Sequence, residues 1–343
     1  FCYIRNMDFL EFTAGIDDND RRIDKVLRKF IKNAPLSSIY KYLRKKLVKI
    51  NNKSVSQDYR IKNGDIIQIA SFIIENEKQN ELENNQSDKK NCTLQNKDFD
   101  LDIVFQNEHL LIINKPYNVL AHGDNNSLDK QIQNFYKKSK SQNQESLSFI
   151  PGPLHRLDKK TTGLLTFSWS LQGARWFSEN IKNHTIQKKY IAVVQGNLTK
   201  TEKWEDYIKK NEDNNNKKFH TVTVKSKITD YKNNIKNENI KNAITEIIPL
   251  KHGKYKNQDV TLVNLIIKTG RMHQIRAQAS LHGFPLLGDT AYGGKKLENF
   301  EQDFFLHAEK LIFPSENPFN LPKQIDAQLP KDFLAFIDLV KFL

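Results

Sequence analysis

The sequence predicts an α+β protein, a mixed and largely antiparallel sheet with flanking helices, preceded by a small basic α/β domain. Three observations lead there. From residue 98 onwards, strand and helix patterns mix without a regular βαβ beat, which disfavours a doubly wound parallel fold. Residues 17–71 hold two short basic helices and then short strand runs. Between them, residues 75–97 read ENEKQNELENNQSDKKNCTLQNK, with almost no apolar side chains. Such a stretch cannot bury enough surface to offset chain entropy and is expected to be a flexible linker. The expected division is 17–71, 75–97 and 98–343.

In the first region, RRIDKVLRKFIKNA places Ile23, Val26, Leu27, Phe30 and Ile31 at helical spacing. Pro35 disfavours helix in the residue before it and ends this segment. A second helix follows in PLSSIYKYLRKKLVKI, with Ser37 or Ser38 as the expected N-cap. Ile39, Tyr42 and Leu43 form its apolar stripe, and Lys41, Arg44, Lys45 and Lys46 take the other faces. Asn51-Asn52 and Asn63-Gly64 then read as turns between extended runs.

In the third region, LDIVFQNEHLLIINKP is a hairpin signal, two apolar runs around a polar tetrad. GLLTFSWS, KKYIAVVQG and VTLVNLIIKTG read as strands. LQGARWFSENIKNH is an amphipathic helix with Ala174, Phe177 and Ile181 inward, and RMHQIRAQASLHG is a helix closed by Gly283. Two low-complexity stretches, near 137–146 and 209–242, are expected to be mobile surface loops.

Composition narrows the function classes. The 343 residues carry a net charge of +14, which favours a polyanionic partner. Abundant Lys and Asn from AT-rich codon usage would give the same total, so the position of the charge matters more than its sum. No apolar run approaches a membrane span, and the opening FCYIRNMDFLEF lacks the apolar core of a secretory signal. A cytoplasmic protein is expected, with Met7 a candidate initiator. Cys2 and Cys92 offer neither a disulfide framework nor a zinc site. No glycine-rich phosphate loop or serine nucleophile elbow is present.

Three clusters carry candidate chemistry. Asp158 stands in LHRLDKKTTGLL, residues 154–165, beside His155 and Arg156. A semi-buried carboxylate must be paired or protonated, and on an extended segment Arg156 would share its face. At about 4 Å, with an effective dielectric near ~20, such a pair is worth about 4 kcal/mol before desolvation. That would hold Asp158 ionised, as a nucleophile or base requires. An exposed Asp among Arg and Lys, worth at most about 1 kcal/mol, is the blander reading, and local spacing alone favours it. In KTGRMHQIRAQASLHG, Arg271, His273 and Arg276 crowd a helix N-terminus against the helix dipole. That points to an anion, to a carboxylate elsewhere in the fold, or to ordinary solvated charge. Tyr190 opens a strand beside Lys188 and Lys189 and could stack on a nucleobase; taken alone it fits a core or edge tyrosine better. Lys115-Pro116 and His122-Gly123 follow the first hairpin, lining a cleft or forming a turn.

These pieces occur in one order, and together they resemble the RluA-type family of RNA pseudouridine synthases. The blocks are QNEHLLIINKPYNVLAHG, HRLDKKTTGLL, KKYIAVVQG, IIKTGRMHQIRAQASLHGFPLLGDTAYG and FFLHAEKLIFP, spanning roughly residues 102–314. The sequence is most similar to the large-subunit ribosomal C type, then D. RRIDKVLRK and LRKKLVKINNKSV resemble an S4 RNA-binding domain. The resemblance implies isomerisation of uridine in 23S ribosomal RNA by a monomer that needs no metal or nucleotide cofactor. Asp158 matches the catalytic aspartate, acting at C1′ or on the 2′ proton. Arg276 matches the arginine that holds that aspartate ionised and oriented. Tyr190 matches the residue that stacks on uracil and takes part at C5. Arg156 matches a position that helps flip the base. His155, Lys115, Arg271, His273, Arg22, Arg44 and Lys45 are the expected RNA contacts. Thr162 departs from the usual Ser and Trp169 from a common basic residue. The same chemistry on tRNA, or a silent ribosome-assembly factor, are the alternatives; intact Asp158, Tyr190 and Arg276 argue against the second.

Overall fold

The computed structural model describes residues 8–31, 34–76, 101–124, 126–139, 146–211, 222–227, 240–340 and 342. Met7, Cys2, Cys92, linker residues 77–97 and much of the two low-complexity stretches lie outside the described residues. The chain divides into two compact units, residues 1–100 with 133–150 and residues 101–132 with 151–343.

In the first unit, β1 (Phe9–Thr13), β3 (Ile66–Ala70) and β2 (Val48–Ile50) form an antiparallel sheet in that order. Helix α1 (Ile23–Phe30) buries Ile23, Val26 and Leu27, and α2 (Leu36–Arg44) buries Ile39 and Leu43, as their spacing requires. α2 begins from Pro35, whose φ of -64° suits a helix start; neither Ser37 nor Ser38 is the cap. The unit extends past both expected boundaries. β1 lies before residue 17, and residues 71–76 are helical, with Ile73 and Ile74 in the core. Residues 146–150 also belong here, because the buried Asp18 carboxylate accepts hydrogen bonds from Ser146 Oγ (3.0 Å), Leu147 N (2.9 Å) and Ser148 Oγ (2.5 Å). A buried carboxylate needs such donors.

The second unit is built on a long sheet. Its order is β4 (Ile103–Gln106), β5 (Leu110–Lys115), β6 (Thr162–Ser168), β12 (Leu306–Ile312), β7 (Gln187–Gln195), β11 (Gln258–Ile267), β10 (Ile240–Tyr255), β8 (Glu202–Lys210) and β9 (Val222–Lys225). β13 (Gln324–Asp326) pairs with β12. Among the described pairings only β6 with β12 is parallel, so the mixed, largely antiparallel α+β class is correct. Helix α3 (Leu128–Ser139) is divided between the units after Ile132, and the helices wholly within the second are α4 (Leu171–Lys182), α5 (Gln274–Leu281) and α6 (Lys331–Val340). Ser170 caps α4 by accepting from Gly173 N, and Phe177 is fully buried beneath it. Phe333 and Phe336 of α6 pack with Phe305 and Tyr255; each such burial contributes about 1.5–3 kcal/mol. The expected loop at 209–242 is corrected in part. Val222–Lys225 is a strand paired with β8, and β10 starts at Ile240. The Val-Thr-Val-Lys alternation is a strand signal hidden in Asn- and Lys-rich surroundings.

The parallel pairing depends on one glycine. Gly163, aligned with Ala308, has φ +106°, and a Cβ there would lie 2.3 Å from Ala308 O. Both the backbone conformation and the close approach exclude a side chain. Gly163→Ala is expected to destabilise the fold by about 3 kcal/mol or more, read as a lower urea midpoint. An unchanged midpoint would mean that β6 and β12 do not approach this closely.

Candidate active site

The segment before β6 carries Asp158. Leu154 N donates to Thr166 O at 2.8 Å, keeping the chain beside β6, and Thr161 N donates to Asp158 O at 3.0 Å, closing a turn. At the turn, Lys115 from the end of β5 is wholly buried. Its ammonium donates to Pro116 O, Val119 O and Lys159 O at 2.8, 2.9 and 2.9 Å. Burial pushes its pKa down to about 7, and the Asp158 charge opposes that shift. Lys115 therefore ties the turn to β5. It is not an RNA contact, and that expectation is corrected: an ammonium with no exposure and three carbonyl partners does not reach a phosphate.

Asp158 meets α5. Arg276 Nη1 lies 3.6 Å and His273 Nε2 3.7 Å from the same oxygen, Asp158 Oδ2. No Arg156–Asp158 ion pair forms among the described residues, because the chain turns at Asp158 and leaves Arg156 exposed. The strongest partner of Arg276 is Asp289, which the sequence reading did not single out. Nε and Nη2 of Arg276 donate to Oδ2 and Oδ1 of Asp289 at 2.6 and 2.8 Å, a bidentate fork. The guanidinium is also sandwiched between the rings of Tyr292 (4.9 Å) and Phe304 (4.8 Å), contacts worth about 0.5–2 kcal/mol each. Burial works against the Arg276 charge, but Asp289, with Asp158 behind it, leaves the pKa raised. Gly288 sets up the fork: at φ +96° it passes so close to Asp303 O that a Cβ would stand 1.8 Å away. The available signal for Asp289 was a lone carboxylate in the apolar, glycine-rich run FPLLGDTAYGG.

Tyr190, on β7, is buried, and burial first and the Asp158 charge second push its phenol pKa up. The hydroxyl stays protonated near neutral pH. Lys188, two residues earlier and on the same face, is also buried, with its pKa pushed down to about 8 by burial. Thr162 keeps the hydroxyl expected there and uses it on His307 Nδ1 at 2.8 Å. Trp169 is a core residue.

His155 is a second correction. Its Nε2 accepts from Thr166 N at 3.1 Å, its ring stacks on Phe177, and burial with the Lys188 charge pushes its pKa down to about 3. A neutral, internally bonded imidazole is not a cation for phosphate. Arg271 spends Nε on Asn242 O at 3.0 Å. In the first unit, Arg44 and Lys45 are exposed, while Arg22 forks onto Asp24 at 3.1 and 2.8 Å.

Lys115→Met is expected to cost about 3 kcal/mol of stability, from carbonyls left without donors. The salt dependence of RNA binding should not change. A salt slope lower by about 1 would return Lys115 to the phosphate contacts.

The RNA pseudouridylate synthase family matches this chain over residues 109–281. A ribosomal large subunit pseudouridine synthase C of Buchnera aphidicola is 31% identical, over 81% of this chain and 79% of that protein. One of the same name from Rickettsia typhi is 30% identical, over 90% and 94%. The solved structure of human RNA Pseudouridylate Synthase Domain Containing 4 superposes with a TM-score of 0.53 at 22% identity, covering 70% of this chain and 93% of that one; it bears on the fold. The family match and these relatives, on a sheet that gathers Asp158, Arg276 and Tyr190, make the chain a member of the RNA pseudouridylate synthase family and an RNA pseudouridine synthase.

Proposed function

We propose that the chain isomerises uridines of large-subunit ribosomal RNA, with Asp158 as the group that acts on the ribose. The observation that carries the reading is the convergence of Arg276 Nη1 and His273 Nε2 on Asp158 Oδ2. Two groups 3.6 and 3.7 Å from one oxygen orient the carboxylate electrostatically, and Oδ1 is the oxygen offered to the sugar. The target nucleotide is flipped out of its stack at a cost of a few kcal/mol, with exposed Arg156 helping to displace it. The N1–C1′ bond breaks, the uracil rotates, and a C5–C1′ bond forms; C5 loses a proton and N1 gains one. Atoms and electrons balance within the nucleotide. Tyr190 supports the base by stacking, and with its phenol pKa raised it is a poor proton acceptor at C5.

The ribosomal substrate is supported by the names of the relatives, ribosomal large subunit pseudouridine synthases. The first unit is read as an S4-like RNA-binding module. Exposed Lys41, Arg44, Lys45 and Lys46 on and just after α2 are its phosphate contacts, a shape- and charge-based mode suited to structured RNA.

Asp158→Ala should abolish pseudouridine formation on 23S RNA in vitro while RNA affinity is retained; substantial remaining turnover would sink the role. Arg276→Lys should lose most activity, since a point charge cannot fork onto Asp289 while presenting a third donor to Asp158. Turnover near normal there would show that the fork is dispensable. The double variant Arg44→Glu, Lys45→Glu should flatten the salt dependence of binding by roughly 2 in slope. An unchanged slope would remove this face from the contact surface, and modification of tRNA instead of 23S RNA would replace the substrate.

A further inference from the structure

His273 is strained and doubly constrained. It precedes α5 with φ +51° and ψ 22°, a left-handed conformation that few non-glycine residues adopt. Its Nδ1 is 2.8 Å from Tyr292 Oη, and its Nε2 faces Asp158 Oδ2 at 3.7 Å. Tyr292 Oη also accepts from Val222 N at 3.3 Å. The phenol hydrogen can go to Nδ1, since the backbone N–H takes only one of the two lone pairs on its oxygen. A neutral imidazole then carries its proton on Nε2, pointing at the carboxylate. The opposite tautomer would set a lone pair against the Asp158 anion, so the carboxylate selects the Nε2–H form and Tyr292 can complete it as donor to Nδ1.

We infer that His273 is a neutral positioning residue in the Nε2–H tautomer, completed by Tyr292 at Nδ1, which with Arg276 orients Oδ2 of Asp158 and leaves Oδ1 as the reacting oxygen. The inference rests on the reading of Asp158 as the group that acts on the ribose. At 3.7 Å the approach is longer than a hydrogen bond, an electrostatic contact that sets the side from which the carboxylate is met. The charged groups around the ring are Asp158, Arg276, Asp289 and Arg156, with Tyr292 at Nδ1. Burial first, and the two arginines with it, lower the His273 pKa against the two carboxylates. A neutral ring is thus favoured at neutral pH. His273 was expected to be an RNA contact; the geometry turns it inward.

The test is long-range proton–nitrogen NMR on the full chain with 15N-labelled histidine, the His273 signal being assigned by its loss in His273→Gln. At pH 7 the ring should be neutral with its proton on Nε2, and it should stay so in Tyr292→Phe, where Asp158 still selects that form. An imidazolium at pH 7, or a proton on Nδ1 in the unaltered chain, overturns the inference. In turnover assays His273→Leu should lower kcat about 10–100-fold with little change in KM. His273→Gln should recover part of that loss, because its amide N–H reaches the place of Nε2–H. Equal rates for the Leu and Gln variants, or unaltered kcat in the Leu variant, also overturn it. Activity in Asp158→Ala would refute the parent reading whatever the NMR shows. An inactive Asp158→Ala together with the wrong tautomer would refute this inference alone.

Discussion

The fork between Arg276 and Asp289 is the interaction on which the site depends. A guanidinium this deeply buried needs its charge answered at more than one nitrogen. Asp289 answers two, at 2.6 and 2.8 Å, and fixes the direction of the third. Because Nε and Nη2 are committed, Nη1 is the nitrogen left to face Asp158. The rings of Tyr292 and Phe304 close both faces of the guanidinium and stop it from swinging. Removing one member of such a pair costs about 3–5 kcal/mol, so α5, the Gly288–Tyr292 segment and the approach to β12 are held in a single arrangement.

A second polar contact works from the other side. Lys115 holds the Asp158 turn through Lys159 O and returns its other two hydrogen bonds to the segment that follows β5. Gly163 lets the next residues run flush against β12. The turn is therefore fixed at its peptide backbone, and the Asp158 side chain is met by His273 and Arg276, at the start of α5 and in its first turn. The orientation of the carboxylate is thus set by neighbours that are themselves held in place.

Much of the fold was legible. The hairpin at 103–115, the strands at 162–168, 187–195 and 258–267, and the helices at 171–182 and 274–281 follow the periodicities that predicted them. Among the strands that were missed are those at 9–13, 222–225 and 240–255. The first lies at the edge of a unit whose apolar pattern was read as starting later. The others are flanked by Asn and Lys, and their strand character comes from pairing with β8 and β11. Asp18 explains the placing of residues 146–150, and no local pattern could reveal a hydrogen bond across about 130 residues.

The sequence by itself determined the residue types and order of the candidate site, because Asp158, Tyr190 and Arg276 lie in ordered blocks of the chain. It also determined the class of fold, since apolar periodicity reports which faces must be buried. Only the tertiary structure decided which charge answers which. Arg156, two residues from Asp158, points to solvent, and Arg276, far away in the chain, supplies the nearby cation. Lys115 and His155 look like surface cations in one dimension, yet one is a buried tie and the other a neutral ring. The reason is the same in each case. The state of an ionisable group is set by desolvation and by neighbours within a few ångströms, and those neighbours come from strands and turns distant in the chain.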